Sequence, residues 1–313
     1  MKINDLIFKE LLLRGFQLEE NTRVWNIADS KLWYLSPSQA RGYLELEKNE
    51  NYKKSIISKE VSLINKNLSS FLKELPFNAY NLIDLGCGDG KKAALFINEF
   101  SKRISIRYCP IDISSYMVNE AARTIRELGI GEVLKLKWNI SDFENLDNVM
   151  PLFRDTGFGN HFMMLLGNTL GNFDREDILH GIKNSMEGND VLLIGNGITD
   201  GHKDSDWIRD YKDEKINGWL IKVPLLMGLR QNDIKYDVRF KNSRIEEIYT
   251  LQKDVKLKHL GRVINFKSGD IIITAISYKY TISRFKANIS KFFSDVKIFT
   301  DEDVSYALAF CKK

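Results

Sequence analysis

At 313 residues with 43% apolar side chains, the chain is long enough to close one large or two modest hydrophobic cores. Its formal net charge of +4 is slight for that length, and the lysines are scattered among acids instead of forming a stripe with interleaved aromatics, which disfavours nucleic acid as a partner. No run of about eighteen apolar residues is present to cross a membrane.

The first segment, MKINDLIFKELLLRGF, carries Asp5, Lys9, Glu10 and Arg14 among its apolar positions and is expected to form an amphipathic helix, not a signal peptide. Residues 1–58 read as mainly helical, with the aromatic-rich RVWNIADSKLWYLSPSQARGYLEL leading into NYKKSIISKEVSLINKNL. From about residue 80 to 200, strand and helix alternate, the pattern of a doubly wound parallel sheet with nearly continuous apolar strands. The first strand opens into NLIDLGCGDGKK, residues 81–92, where Gly86, Gly88 and Gly90 allow a turn too tight for a Cβ, and Lys92 lies in the helix that follows. This GxGxG turn resembles the S-adenosylmethionine (SAM) loop of class I methyltransferases, with Asp84 placed to meet the cationic end of that cofactor. A dinucleotide fold would instead space the glycines GxGxxG, although the mechanics are close.

Two more acids follow at expected strand ends. RYCPIDI ends in Asp112, some twenty residues past the glycine turn, where a carboxylate would accept from both ribose hydroxyls. LKLKWNISDF is expected to be a strand followed by Asp142 and Phe143, which could hold an adenine amine and ring face. HFMMLLGNTLGNF, residues 161–173, runs into a polar turn; the helix REDILHGIKNSM and the strand DVLLIGNGI come next, and SDVKIFTDEDVSYALAFCKK reads as two strands joined by an acidic turn. Between about 198 and 279 a helix-rich stretch gives way to strands in RIEEIYTLQ, KLKHLGRVINF and DIIITAISYKY. The cysteines, Cys87, Cys109 and Cys311, have no ligand-like spacing, so a reduced cytoplasm is the expected home. The histidines, His161, His180, His202 and His259, are not spaced for a metal, and none is expected.

Several blocks together carry a closer resemblance. KLWYLSPSQARGYLELEKNENYKK, LLGNTLGNF, DYKDEKINGWLIKVPLLMGLRQND and FKSGDIIITAISYKY are similar, in order and spacing, to blocks of the histidine Nα-methyltransferases that make hercynine on the route to ergothioneine, a family with relatives acting on other amino-acid-like amines. The resemblance implies a Rossmann-like class I methyltransferase sheet (residues 59–197 and 280–313) and a discontinuous α+β substrate lid (1–58 and 198–279). It further implies SAM as cofactor and a small-molecule amine as partner; separately from the resemblance, a monomer is expected. Tyr34 and Tyr52 match the family's substrate tyrosines, Asn172 the asparagine gripping the acceptor's polar ends, Tyr211 the tyrosine holding its carboxylate, and Ser277 the serine near the imidazole. Tyr34, Asn172 and Tyr211 are therefore the residues expected to orient the acceptor for catalysis.

Where histidine-specific members have the glutamate of TEIS, this chain has Ala275. The loss of a charge-assisted hydrogen bond of about 1.5–3 kcal/mol points to an acceptor other than histidine. Glu246 and Glu247 are candidates to restore an acidic group, one of them at least being expected on a solvated strand face. Strand alternation puts Ile273, Ala275 and Ser277 on one face. Two other readings stay open at this point: methylation of a protein or peptide side chain, and SAM binding without turnover.

Overall fold

Strands form where the sequence has unbroken apolar runs, and most of the helices beside them bury one stripe. The computed structural model describes residues 3–48, 57–200, 203–259 and 261–313. In chain order its strands are β1 (Gln17–Glu19), β2 (Thr22–Asn26), β3 (Ala79–Leu85), β4 (Ser105–Ile111), β5 (Glu132–Val133), β6 (His161–Leu165), β7 (Val191–Gly197), β8 (Ile234–Lys241), β9 (Arg244–Leu251), β10 (Val255–His259), β11 (Arg262–Phe266), β12 (Ile271–Tyr278), β13 (Asp295–Thr300) and β14 (Tyr306–Lys312). The chain divides into two units, residues 1–46 with 202–279 and residues 47–201 with 280–313. The switches at 46/47 and 201/202 differ from the expected 58/59 and 197/198.

The second unit is a seven-stranded sheet in the order β13-β14-β7-β6-β3-β4-β5. β3 to β7 pair in parallel, and β14 joins β7 antiparallel, with β13 beyond it. This is the Rossmann-like class I methyltransferase architecture with its antiparallel edge hairpin. β6 and β7 are buried along their whole length, as parallel strands covered on both faces must be. Helix Lys91–Phe100 buries Ala93, Phe96, Ile97 and Phe100, one helical stripe. Helix Ser58–Lys73 lies in this unit because it packs on the sheet: the Phe71 ring stacks on Phe310 with centroids 5.7 Å apart and planes 3° from parallel. Such a pair contributes about 0.5–1.5 kcal/mol beyond its area.

One expected strand is absent. LKLKWN does not extend a ladder; after the short β5, Lys137–Asn139 is a 3-10 turn. Asn139, fully buried, explains why: its amide nitrogen donates to the carbonyls of Pro110 (2.6 Å) and Leu134 (3.1 Å), and its oxygen accepts from the Leu136 backbone (2.6 Å). A side chain that takes over backbone partners in this way competes with the ladder.

The first unit is a five-stranded sheet, β1-β2-β12-β9-β8, antiparallel except for the β2–β12 pairing, and a separate β10-β11 hairpin. The N-terminal part is thus less helical than expected, and KLKHLGRVINF is two strands, not one. β12 and β9 carry the feature that matters most. Ile273 pairs with Ile248, yet Ala275 pairs with Glu247, so the register shifts between them. This bulge reverses the alternation: Ile273 packs with Ile248, Ile276, Val24 and Ala28 on one face. Ala275 and Ser277 therefore lie on the opposite face from Ile273, which corrects the simple every-second-residue expectation. Among the described residues, no helix is long and apolar enough to cross a membrane.

Candidate functional site

In the second unit, Asp84 is the penultimate residue of β3 and Asp112 follows β4, so the parallel pairing sets both carboxyls at the carboxyl edge of the sheet. Both are buried. Asp84 accepts from the Tyr108 hydroxyl at 2.8 Å, yet burial raises its pKa from 3.8 to about 7, with the Tyr108 bond and Lys92 opposing and Asp112 and Asp89 adding to the rise. Asp112 accepts from the Ser114 backbone N–H at 2.8 Å, and burial raises it to about 6. Two carboxyls held in this state are acceptors waiting for donors or for positive charge.

The turn between them has Gly86, Gly88 and Gly90 at φ +71°, +53° and +76°. A Cβ on Gly88 would meet nothing within 4 Å, so that side of the loop is open. At Gly90 a Cβ would stand 2.9 Å from the Ala121 Cα, so the packing of two helices requires this glycine. Phe143 reaches the turn, its ring tip 3.6 Å from where a Gly86 Cβ would be, and Phe173, at the end of the LLGNTLGNF block but not singled out there, backs it at 5.5 Å between centroids. Asp142 caps the 3-10 turn Phe143–Asn145, accepting from the Glu144 N–H at 3.4 Å. This set of a carboxyl for a cation, a carboxyl for a diol, an open glycine and an aromatic face fits SAM.

Lys92, which the sequence groups with the cofactor-binding residues, is ion-paired within the fold. Its ammonium is 2.6 Å from Glu60, a fully buried carboxylate that also accepts from the Gly167 N–H (2.8 Å) and the Tyr306 hydroxyl (2.6 Å). The lysine braces the turn after β6, and it reaches Asp84 only as a nearby charge. That turn is locked a second time by Asn168, in the left-handed region at φ 63°, whose side-chain oxygen accepts from the Gly197 N–H at 2.5 Å. Asn172 ends the 3-10 turn this lock positions, and it is half-buried.

In the first unit Tyr211, Glu247, Ala275 and Ser277 come together. Ala275 and Glu247 are direct cross-strand partners, a geometry that puts their Cβ atoms roughly 5 Å apart on one face. Glu247 is 6% exposed, and burial raises its pKa from 4.5 to about 8, the Tyr236 hydroxyl at 3.4 Å and the charge of Lys279 opposing. Beside it, Lys279 donates to the Tyr211 hydroxyl at 2.6 Å and to Ser277 Oγ at 2.8 Å; the two hydroxyls lie 3.2 Å apart. Glu246 faces the other way, and it is not solvated: fully buried, it is paired with Arg239 and Arg244, each at 2.6 Å. Tyr34 sits in a separate aromatic cluster, 5.5 Å from Trp219 and 5.3 Å from Tyr43. Tyr52 lies outside the described residues. Sequence reasoning passed over Lys279, because a lysine at the end of a strand ordinarily reads as solvated.

A family model described as "Histidine-specific methyltransferase, SAM-dependent" matches residues 47–313. Ergothioneine biosynthesis protein 1 of Schizosaccharomyces pombe is 25% identical over 141 residues, 43% of this chain and 18% of that protein. N-methyltransferase fsqC of Aspergillus fumigatus is 24% identical over 242 residues, 72% of this chain and 63% of that protein. The chain thus spans less than two thirds of the length of either relative. A SAM-dependent methyltransferase structure from Clostridium acetobutylicum has a TM-score of 0.46 at 11% identity, covering 87% of this chain and 98% of its own.

Proposed function

This chain belongs to the histidine-specific, SAM-dependent methyltransferases, and from that premise we propose that it methylates the amino nitrogen of a small amino-acid-like molecule other than histidine. The observation that carries the choice of acceptor is the direct pairing of Ala275 with the buried Glu247. A carboxyl on β9 in place of one on β12 lies about 4.8 Å away, one strand spacing. An acceptor reaching it needs its side-chain donor displaced by that amount, and the small Ala275 leaves room for a bulkier side chain on the way. The name of one relative, an N-methyltransferase, agrees with nitrogen as the atom methylated.

SAM, when bound, supplies a methyl group on a positively charged sulfur. Asp84 would meet the cationic end of the cofactor and Asp112 its ribose hydroxyls, while Phe143, with Phe173 behind it, would offer a face to the ring. Lys92, Glu60 and Asn168 hold the glycine turn and the turn after β6 in place. For its part the acceptor must offer a nitrogen lone pair in line with the carbon–sulfur bond, at about 3 Å from the methyl carbon. Tyr211 and Ser277 orient it by hydrogen bonds that neither give nor take a full charge. Glu247, with its pKa near 8, is largely a neutral acid at pH 7, and can both donate to and accept from an acceptor side chain. Asn172 keeps its assignment to the acceptor on resemblance alone.

The test is incubation of the protein and SAM with a pool of amino acids and amines, read by mass spectrometry for products heavier by one methyl group. A product from an amino acid with a side chain larger than histidine's is expected. Efficient methylation of histidine, ahead of every other member of the pool, would refute the reading, and Asn172→Ala that turns over like the parent would remove that residue from it.

A further inference from the structure

Five polar groups form a row across the carboxyl edge of the seven-stranded sheet. Glu60, fully buried, accepts from the Tyr306 hydroxyl of β14 at 2.6 Å and from the Gly167 N–H at 2.8 Å, and its other oxygen is 2.6 Å from the Lys92 ammonium. Past Lys92 comes Asp84, which accepts from the Tyr108 hydroxyl of β4 at 2.8 Å. The order is phenol, carboxyl, ammonium, carboxyl, phenol. Strand pairing and packing both set Lys92 between the acids: Asp84 is the cross-strand partner of Met164, just before Gly167, and a Cβ on Gly167 would stand 2.9 Å from Lys92 Nζ. Room for Glu60 is left by a second glycine, since a Cβ on Gly195 would stand 2.7 Å from its carboxylate and 2.8 Å from the Tyr306 hydroxyl.

One ammonium thus serves two buried carboxyls, and with both ionised the row carries a net negative charge that burial makes costly. Contact gives the lysine to Glu60, while Asp84 avoids the cost by keeping a proton up to about pH 7. The other groups nearby supply no further positive charge. Asp112 and Asp89 push the Asp84 pKa higher still, Glu47 is one more acid near Lys92, and burial pushes up the Cys87 thiol and the Tyr108 hydroxyl, which stay neutral. The row is one cation short, and the shortage falls on the carboxyl at the glycine turn.

We propose that Glu60 is a positioning residue of the cofactor site: by holding Lys92 it withholds a built-in counter-charge from Asp84 and leaves that carboxyl open for the ammonium of the cofactor. A lysine free to pair with Asp84 would take the place of the ligand's cation. The same carboxylate grips the Gly167 N–H, so the group that keeps the cation site open also anchors the turn leading to Asn172. The inference rests on SAM as cofactor; neither the acceptor nor turnover enters its test.

The experiment is calorimetric titration with S-adenosylhomocysteine, which keeps the ammonium, at a series of pH values from 5 to 8. In the parent, affinity should rise about tenfold per pH unit and level off near pH 7, because one proton leaves Asp84 for each ligand bound. Glu60→Gln can still accept from Gly167 and Tyr306 but no longer holds an ammonium, so Lys92 turns to Asp84. Levelling should then set in about one pH unit lower or more, and the affinity above it should fall about tenfold, as the lysine competes with the ligand. Glu60→Gln combined with Lys92→Met removes both charges; levelling should move above that of the parent, since Asp84 loses the cation that lowers its pKa. A Glu60 that only braces the fold would lower the melting temperature and leave the pH profile where it was. If Glu60→Gln fails to fold, Glu60→Asp, which keeps the charge but shortens the reach to Lys92, takes its place and should shift the profile the same way by less. An unmoved profile in a folded variant, the single and double variants shifting in the same direction, or a parent affinity that does not change with pH would each overturn the inference.

Discussion

Asp84→Asn should make the protein without cofactor more stable at pH 8 while abolishing SAM binding. The folded chain holds this carboxyl near pH 7 against an ordinary 3.8, chiefly by burial. A pKa raised in the folded state means that stability is fully present below about pH 4 and is lost as the pH rises through about 7, because the unfolded chain then sheds a proton that the folded one retains. At about 1.36 kcal/mol per pKa unit the loss amounts to about 4 kcal/mol once both states are ionised. Asparagine keeps an oxygen to accept from Tyr108 and has no proton to lose, so the difference between variant and parent should grow from near zero at pH 4 to as much as about 4 kcal/mol at pH 8. Urea denaturation at several pH values measures it. In the parent, SAM binding should tighten from pH 6 to 8 and release protons, detected by calorimetry in buffers of different ionisation enthalpy. A variant whose advantage does not change with pH, or that still binds SAM like the parent, would show that Asp84 is neither strained by burial nor the partner of the cofactor's cation.

Asp112→Ala should weaken SAM by about 1–3 kcal/mol in the same titration, the range for hydrogen bonds to a charged acceptor, with NAD giving no heat for either protein. Ala275→Glu alone should be harmful, since it sets a second buried carboxyl directly across from Glu247; melting should show a loss of about 2 kcal/mol or more. The double change Glu247→Ala with Ala275→Glu should recover that stability and raise histidine binding about tenfold over the parent, which isothermal titration would read directly. Arg23→Ala should cost about 2–3 kcal/mol in chemical denaturation, because Arg23 grips the buried Asp270 with two bonds, of 2.9 and 2.5 Å, and its removal takes away the counter-charge, leaving only the N–H groups of Trp25 and Lys267 as donors.

The parts of this chain that were readable in advance are those whose cause is local. A glycine turn announces itself because positive φ is cheap only for glycine, and Asp84, Asp112 and Phe143 fell where it led. The buried strands of the parallel sheet were equally plain from their apolar runs. What escaped depended on partners far along the chain. β8, IKYDVRFK, hid because the polar face that should mark a solvated strand edge is instead tied down, Arg239 bonding Glu246 and Glu19. The false strand at LKLKWN failed through one asparagine side chain whose acceptor at Pro110 lies 29 residues away. Lys279 escaped because its burial is created by Trp207 and Tyr211, which the sequence places some seventy residues earlier.

The bulge in β12 acts as a parity switch for everything that follows it. Beyond it, Ser277 and Lys279 point one way while Ile276 and Tyr278 point the other. Deleting Thr274 would leave the composition almost untouched and the strand long enough to pair, but it would exchange the two sets, turning the lysine and serine into an apolar core and bringing isoleucine and tyrosine to the polar cluster. Selection on this strand therefore acts on its length as well as on its letters. A single codon gained or lost between Ile273 and Ala275 is a larger chemical event than most substitutions at either of them.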